Sequence, residues 1–137
     1  MSMPGFADWL ETPQGRYLLD AEQAAIDGIV ADVFGYHALQ LGLSRLDLLR
    51  ANRMPFRFRC GAEGAGVSVY AEADALPFAS ASLDLVVLPH VLEFAARPQH
   101  VLREVERVLV PEGSVVLSGF NPLSLWGARR LLARETS

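Results

Sequence analysis

The sequence predicts an α/β domain: a mainly parallel sheet of about five strands with helices on both faces. Two short apolar runs, Leu83–Leu88 and Val115–Leu117, are bounded by turn residues. Runs rich in Val and Leu without polar alternation suit strands covered on both faces. Between them Val101, Leu102, Val105, Val108 and Leu109 fall on one face at helical spacing, and Pro98 stands at a first helical position. Pro111-Glu112-Gly113 then stops the helix and turns the chain. Strand, crossover helix and strand make a βαβ unit, and that unit forces parallel pairing.

The remaining elements follow in order. Thr12 and Pro13 read as an N-cap and first helical residue. Tyr17, Leu18, Ala21, Ala25, Ile29, Val30 and Val33 then stay near one face, and Gly35 is placed to end the helix. Residues 1–35 thus form an N-terminal helical cap, either closing a pocket or packed on the sheet, and residues 36–137 form the α/β unit. Tyr36–Leu41 is a first strand closed by Gly42. Ser44 with Asp47 predicts a helix through Leu46, Leu48 and Leu49, ending near Asn52. Met54–Cys60 alternates, with Phe56 and Phe58 on one face and Arg57 and Arg59 on the other, and reads as a second strand. Val67–Ala71 is a third. Asp84 opens the fourth, which ends Leu88-Pro89-His90. After a fifth strand at Val115–Gly119, Asn121-Pro122 leads into a helix bearing Leu123, Trp126 and Leu131.

Composition narrows the function classes. Of the 137 residues, 51% are hydrophobic and 20% charged, which suits one compact domain with a real core. The net charge of −4 gives no electrostatic grip on nucleic acid, which needs clustered cations. Cys60 is the single cysteine, so an intrachain disulfide and a cysteine-based zinc site are closed, and no metal is expected. No apolar run reaches the roughly 18 residues of a membrane span, and the opening MSMPGFADWLE carries no signal pattern. A cytoplasmic domain is the expectation.

The chain also resembles a family. Asp74, then Leu76-Pro77-Phe78, then Leu83-Asp84-Leu85-Val86, then Arg107-Val108-Leu109-Val110-Pro111-Glu112-Gly113 are similar, as a series, to the second half of the class I S-adenosylmethionine-dependent methyltransferases (type 11-like). The resemblance covers Tyr70–Gly119. It implies a Rossmann-like fold, S-adenosylmethionine as cofactor, and methyl transfer to an acceptor that the sequence does not name. It also implies a site across Gly42, Asp74 and Leu88, Pro89 and His90. Asp74 would face the adenine amino group while the Ala75 backbone meets a ring nitrogen. An acceptor suits an exocyclic amine, which is a donor. The other reading of Asp74 is a turn cap, with Leu76 and Phe78 packed under the sheet.

The first half departs from the family. Its cofactor loop reads acid-x-Gly-x-Gly-x-Gly, with glycines admitting the ligand and the acid receiving a cationic amine. Here Gln40-Leu41-Gly42-Leu43-Ser44 keeps one glycine and puts an uncharged amide at the acid position, so the resemblance implies that Gln40 binds the cofactor only as a neutral hydrogen-bond acceptor. The family also continues with two strands beside the fifth, for which this sequence has no room. The resemblance therefore implies a sheet shortened at its C-terminal end, or a piece of a longer protein. It leaves the Ser114–Gly119 edge open to pair with a second copy in a homodimer.

His90, at the carboxyl end of a strand, is the histidine whose place suggests chemistry, as a base on an acceptor hydroxyl or amine. Its structural alternative is a hydrogen bond within the loop, and Glu93 stands one helical turn away. Two functions remain from different classes: an S-adenosylmethionine-dependent methyltransferase, or a methyltransferase-like binding or scaffold module. A nicotinamide oxidoreductase is disfavoured by the absence of GxGxxG.

Overall fold

The structure is a computed structural model that describes residues 6–61, 66–118 and 126–127. Helices α1 (Phe6–Leu10) and α2 (Pro13–Val30) precede strands β1 (His37–Leu41), β2 (Phe56–Gly61), β3 (Val69–Tyr70) and β4 (Leu83–Pro89). Helices α3 (Val91–Phe94) and α4 (Pro98–Val108) then lead to β5 (Leu109–Ser118) and β6 (Trp126–Gly127). The sheet order is β3-β2-β1-β4-β5-β6. The pairs β1–β2, β1–β4, β2–β3 and β4–β5 are parallel, and β5–β6 is antiparallel. The predicted α/β class with a five-strand parallel sheet is therefore what forms.

The continuous apolar runs are explained by burial on both faces. Leu39, Leu41, Val86, Leu88, Val115 and Leu117 point to one side, where Val101, Val105 and Val108 of α4 cover them. Their alternates Ala38, Leu85, Val87 and Val116 point to the other, where Ile26 and Val30 of α2 cover them with Leu48, Leu49 and Met54. Successive strand residues face opposite sides, so each strand feeds both cores. Each fully buried Val, Leu or Ile side chain contributes roughly 1.5–3 kcal/mol.

Several boundaries differ from expectation. Thr12 caps α2 as predicted, its Oγ1 accepting from the Gly15 N–H at 3.1 Å, but the helix stops at Val30 rather than near Gly35. The Asn52 side-chain amide donates to the carbonyls of Val30 (2.8 Å) and Val33 (3.0 Å), satisfying that end of the helix. Gly35 has another task. A Cβ there would stand 2.5 Å from Asp84 Cγ, so glycine is what lets the Asp84 carboxylate reach the Tyr36 and His37 amides at 2.9 and 3.1 Å. Of the predicted stripe on α2, Val30 is fully buried and Ile29 packs beside it, but Tyr17 is 79% exposed and Ile26, outside the predicted set, is fully buried.

The helix predicted after Ser44 is absent; residues 43–51 form turns. The Leu46, Arg50 and Asn52 amides each bond to the carbonyl three residues back. β3 is shorter than Val67–Ala71, and β5 is longer than expected, starting at Leu109 directly after α4. Pro111-Glu112-Gly113 does not separate helix from strand. Instead it lies where the β4–β5 register shifts, between Leu83↔Leu109 and Leu85↔Ser114. The edge of β5 is not open as expected either. Val116 pairs with Gly127 and Leu117 with Trp126, so the edge expected to be open for a homodimer is covered by its own chain at these two positions. That pairing also replaces a helix at Trp126; Leu123 and Leu131 lie outside the described residues.

Candidate active site at the carboxyl ends of the strands

Strand order reverses at β1, with β2 on one side and β4 on the other. In open α/β sheets such a switch point leaves a crevice beyond the carboxyl ends of the strands, where ligands bind. Gly42 follows β1 and His90 follows β4 into that region. Gly42 has φ +95°, and a Cβ on it would stand 3.2 Å from Val91 Cγ2 and 3.8 Å from the Pro89 carbonyl oxygen. The structure thus brings Gly42, Pro89 and His90 side by side. Leu88 lies just beneath, buried in the core.

Gln40 stands two residues before Gly42, on β1, and is fully buried. Its Nε2 donates to the carbonyls of Gly42 (2.9 Å), Leu43 (2.9 Å) and Leu46 (3.0 Å), and its Oε1 accepts from the Leu48 N–H at 2.9 Å. The amide at the family's acid position therefore organises the connection from β1 to β2. Arg59 and Arg57 add to this, donating to the Ser44 carbonyl at 3.0 Å and the Asn52 carbonyl at 2.8 Å. The bonds to Ser44 and Leu46 take carbonyls that a local helix would have used, which is why the connection is built of turns.

Asp74 and Ala75 lie on the exposed turn after β3, beyond β2 from the switch point. Asp74 Oδ2 is 3.9 Å from Arg97 Nη2, and the Ala75 N–H already donates to the Glu72 carbonyl at 3.1 Å. The following loop is clamped from α4. Arg107 donates to the carbonyls of Leu76 (3.0 Å) and Phe78 (2.9 Å) and to Ser80 Oγ (3.3 Å). It also meets Glu104 through two bonds, at 2.7 and 3.0 Å, and Glu104 in turn accepts from the Leu76 N–H at 2.9 Å. The Arg107 bond holds the Glu104 carboxyl below its ordinary range.

His90 is fully buried and left-handed, at φ 56° and ψ 21°. Its backbone N–H donates to the Ser118 carbonyl at 2.9 Å, tying the ends of β4 and β5. Nε2 faces both carboxylate oxygens of Glu22, at 2.7 and 2.9 Å, and Nδ1 faces Glu93 Oε1 at 3.1 Å. Burial alone would lower the imidazole pKa, but the two carboxylates outweigh it and the net shift is upward. Glu22 was missed by the sequence reading. The available signal was a carboxylate four residues before Ile26, one helical turn along the buried face. Burial pushes the Cys60 thiol up to about 11, so it stays protonated in the core. Among the described residues no three His, Cys, Asp or Glu groups converge to hold a metal ion, and no helix is long and apolar enough to cross a membrane.

Comparison with known proteins matches this geometry to a family. Residues 43–117, more than half of the chain, match the family described as a methyltransferase domain. YafS of Escherichia coli (strain K12) is 35% identical over 132 residues, covering 94% of this chain and 55% of that protein. The chain thus spans about half the length of that relative. Among solved structures, the complex between the Haloferax volcanii Trm112 methyltransferase activator and a methyltransferase contains a similar chain. It has a TM-score of 0.63 and 21% identity, over 84% of this chain and 60% of that one. An S-adenosylmethionine-dependent methyltransferase from Aquifex aeolicus gives 0.59 and 13%, over 85% and 72%. These two likenesses show the fold. With the family match and the sheet topology, they lead to one assignment: the chain belongs to the methyltransferase domain family.

Proposed function

We propose that this domain binds S-adenosylmethionine at the β1/β4 switch point and transfers its methyl group to an acceptor held over the same rim. The observation that carries the reading is Gly42. Its left-handed backbone packs on Pro89 and Val91 where a side chain would fill the space. The backbone of Gly42 and of Pro89–His90 would line one end of the cofactor, and the Asp74 carboxylate would accept from the adenine amino group. When bound, the cofactor supplies a sulfonium methyl already activated for transfer. The protein's share is then alignment and exclusion of water, and proximity of this kind carries much of a rate enhancement. We also assign a cytoplasmic setting and, from the net charge of −4, an acceptor other than a nucleic acid gripped by charge.

The test is binding of S-adenosylhomocysteine followed by thermal shift and calorimetry. At a hundredfold excess over the dissociation constant a ligand specific for the folded state adds about 2.7 kcal/mol. The shift is expected in the wild type and lost in Gly42→Val and Asp74→Ala. Silence of both methods at millimolar ligand would overturn the reading.

A second reading, a methyltransferase-fold binding module without turnover, is favoured by one observation. The two polar groups that the family uses near the cofactor, the acid position and the Ala75 amide, are here engaged in the protein's own loops. Conversion of S-adenosylmethionine to S-adenosylhomocysteine that depends on an added acceptor fraction would exclude it.

A further inference from the structure

We propose that Glu22 and His90 form a charged latch that fixes α2 across the carboxyl end of β4, so that His90 serves the site as a positioning imidazolium rather than as a proton acceptor. The proposal takes the identity of the site from the methyl-transfer reading, but the latch itself rests on geometry alone.

A carboxylate oxygen accepts and does not donate. His90 Nε2 meets Glu22 Oε1 and Oε2 at 2.7 and 2.9 Å, and Nδ1 meets Glu93 Oε1 at 3.1 Å. Both contacts are satisfied together only when both ring nitrogens carry protons. A neutral ring in either tautomer would press a lone pair against a carboxylate in a fully buried position. The charged groups that the described elements bring against the ring are Glu22 from α2 and Glu93 from α3. β5 meets His90 through the Ser118 carbonyl, and β1 ends beside it at the uncharged Gly42. The raised imidazole pKa agrees with this arrangement.

The latch joins residues 68 apart in sequence. The Glu22 side chain is 12% exposed and that of His90 is inaccessible, so the contact is shielded from salt. Ile26 and Val30, one and two turns further along α2, lie in the sheet core. Glu22 is therefore where α2 passes from packing on the sheet to covering the rim. A base at His90 would make the site work better as pH rises and the ring loses its proton. The latch predicts the opposite. A group whose folded pKa is raised contributes fully below its unfolded value, about 6.5 for histidine, and its contribution is lost as pH rises through the folded value.

The experiment uses the intact chain. The ring signals of His37, His90 and His100 are assigned by single His→Gln variants, and His90 is titrated by NMR from about pH 6 to about pH 9. Over the same range, amide exchange of α1 and α2 is followed, with calorimetry of S-adenosylhomocysteine alongside. Expected are two protonated ring nitrogens at neutral pH, exchange in α1 and α2 that quickens several-fold as His90 deprotonates, and ligand affinity that weakens along the same curve. In Glu22→Gln the His90 midpoint falls and both curves move with it. In Glu22→Asp, whose shorter carboxylate keeps the charge, the midpoint falls less. A neutral His90 at pH 7, exchange in α2 indifferent to its titration, or affinity that strengthens with pH would each overturn the latch. The wild-type titration decides the matter even if a variant does not fold. If S-adenosylhomocysteine fails to bind at any pH, the methyl-transfer reading falls and the exchange data still judge the latch.

Discussion

Gln40→Glu puts back the acid that the family places at the end of the first strand, yet the structure predicts that it damages the protein. The substitution keeps the shape of the side chain but removes both N–H donors. Those donors now serve the carbonyls of Gly42, Leu43 and Leu46 at 2.9–3.0 Å. One carboxylate oxygen can still accept from the Leu48 N–H, while the other faces carbonyl oxygens in a fully buried position. Two lost bonds, each leaving a buried acceptor unmet at about 1–3 kcal/mol, give about 2–6 kcal/mol. The alternative is for the introduced carboxyl to take up a proton, which from an ordinary value near 4.3 costs about 4 kcal/mol at pH 7 and returns one bond. Either outcome removes a large part of a typical total of about 5–15 kcal/mol. In urea unfolding followed by circular dichroism, a loss of about 4 kcal/mol at a slope of about 2 kcal/mol/M lowers the midpoint by about 2 M. The introduced carboxyl has its folded pKa raised, so the folded state binds the proton more tightly and the deficit shrinks as pH falls. A variant as stable as the wild type that binds S-adenosylhomocysteine more tightly would refute the reasoning, because the side chain would then face the ligand.

Two further substitutions probe the supports of the rim. Asp84→Ala leaves the Tyr36 and His37 amides without their acceptor and is expected to cost about 1–3 kcal/mol in thermal or urea unfolding, with Asp84→Asn milder; no measurable loss would remove Asp84 from the account of how β1 starts. Arg107→Lys cannot reproduce a planar fork that serves Leu76, Phe78, Ser80 and Glu104 at once, so amides of residues 74–80 should exchange several-fold faster while α4 keeps its protection. Equal exchange in the loop would mean that the clamp does not hold it.

What was legible in the sequence was what repeats locally. Parallel strands buried on both faces are apolar at most positions, and a crossover helix must show one apolar stripe, so Leu83–Leu88, Val101–Val108 and Val115–Leu117 declared themselves. What was not legible depends on partners that local pattern does not reveal. Ser44 and Asp47 carry a real helix-start signal, but Gln40 and Arg59 redirect the carbonyls of Leu46 and Ser44. The place of His90 could be read from the end of its strand; its charge state could not, because Glu22 lies 68 residues away. On α2 the predicted stripe and the buried face share Val30, and only the sheet adds Ile26 and leaves Tyr17 outside. The β5 edge looked open because the residues that pair with it, Trp126 and Gly127, stand in a stretch whose apolar spacing favours a helix.

The buried polar side chains share one kind of work. Gln40 and Asn52 spend their amides on backbone groups of the connections, and His90 spends its ring on two carboxylates. A buried polar group is tolerated only when it is paired, so each of these pairings must already exist before any ligand arrives. The ends of β1 and β4 are therefore set in advance, and little ordering remains to be done there on binding. The surface contacts of α2 are of another kind. Arg50 meets Asp27 at 2.7 Å from a side chain that is 56% exposed, and Gln23 donates to the Asp47 carbonyl at the surface. Exposed ion pairs are worth little, so among the described polar contacts of α2 near the rim, the buried one at His90 is the contact able to hold the helix.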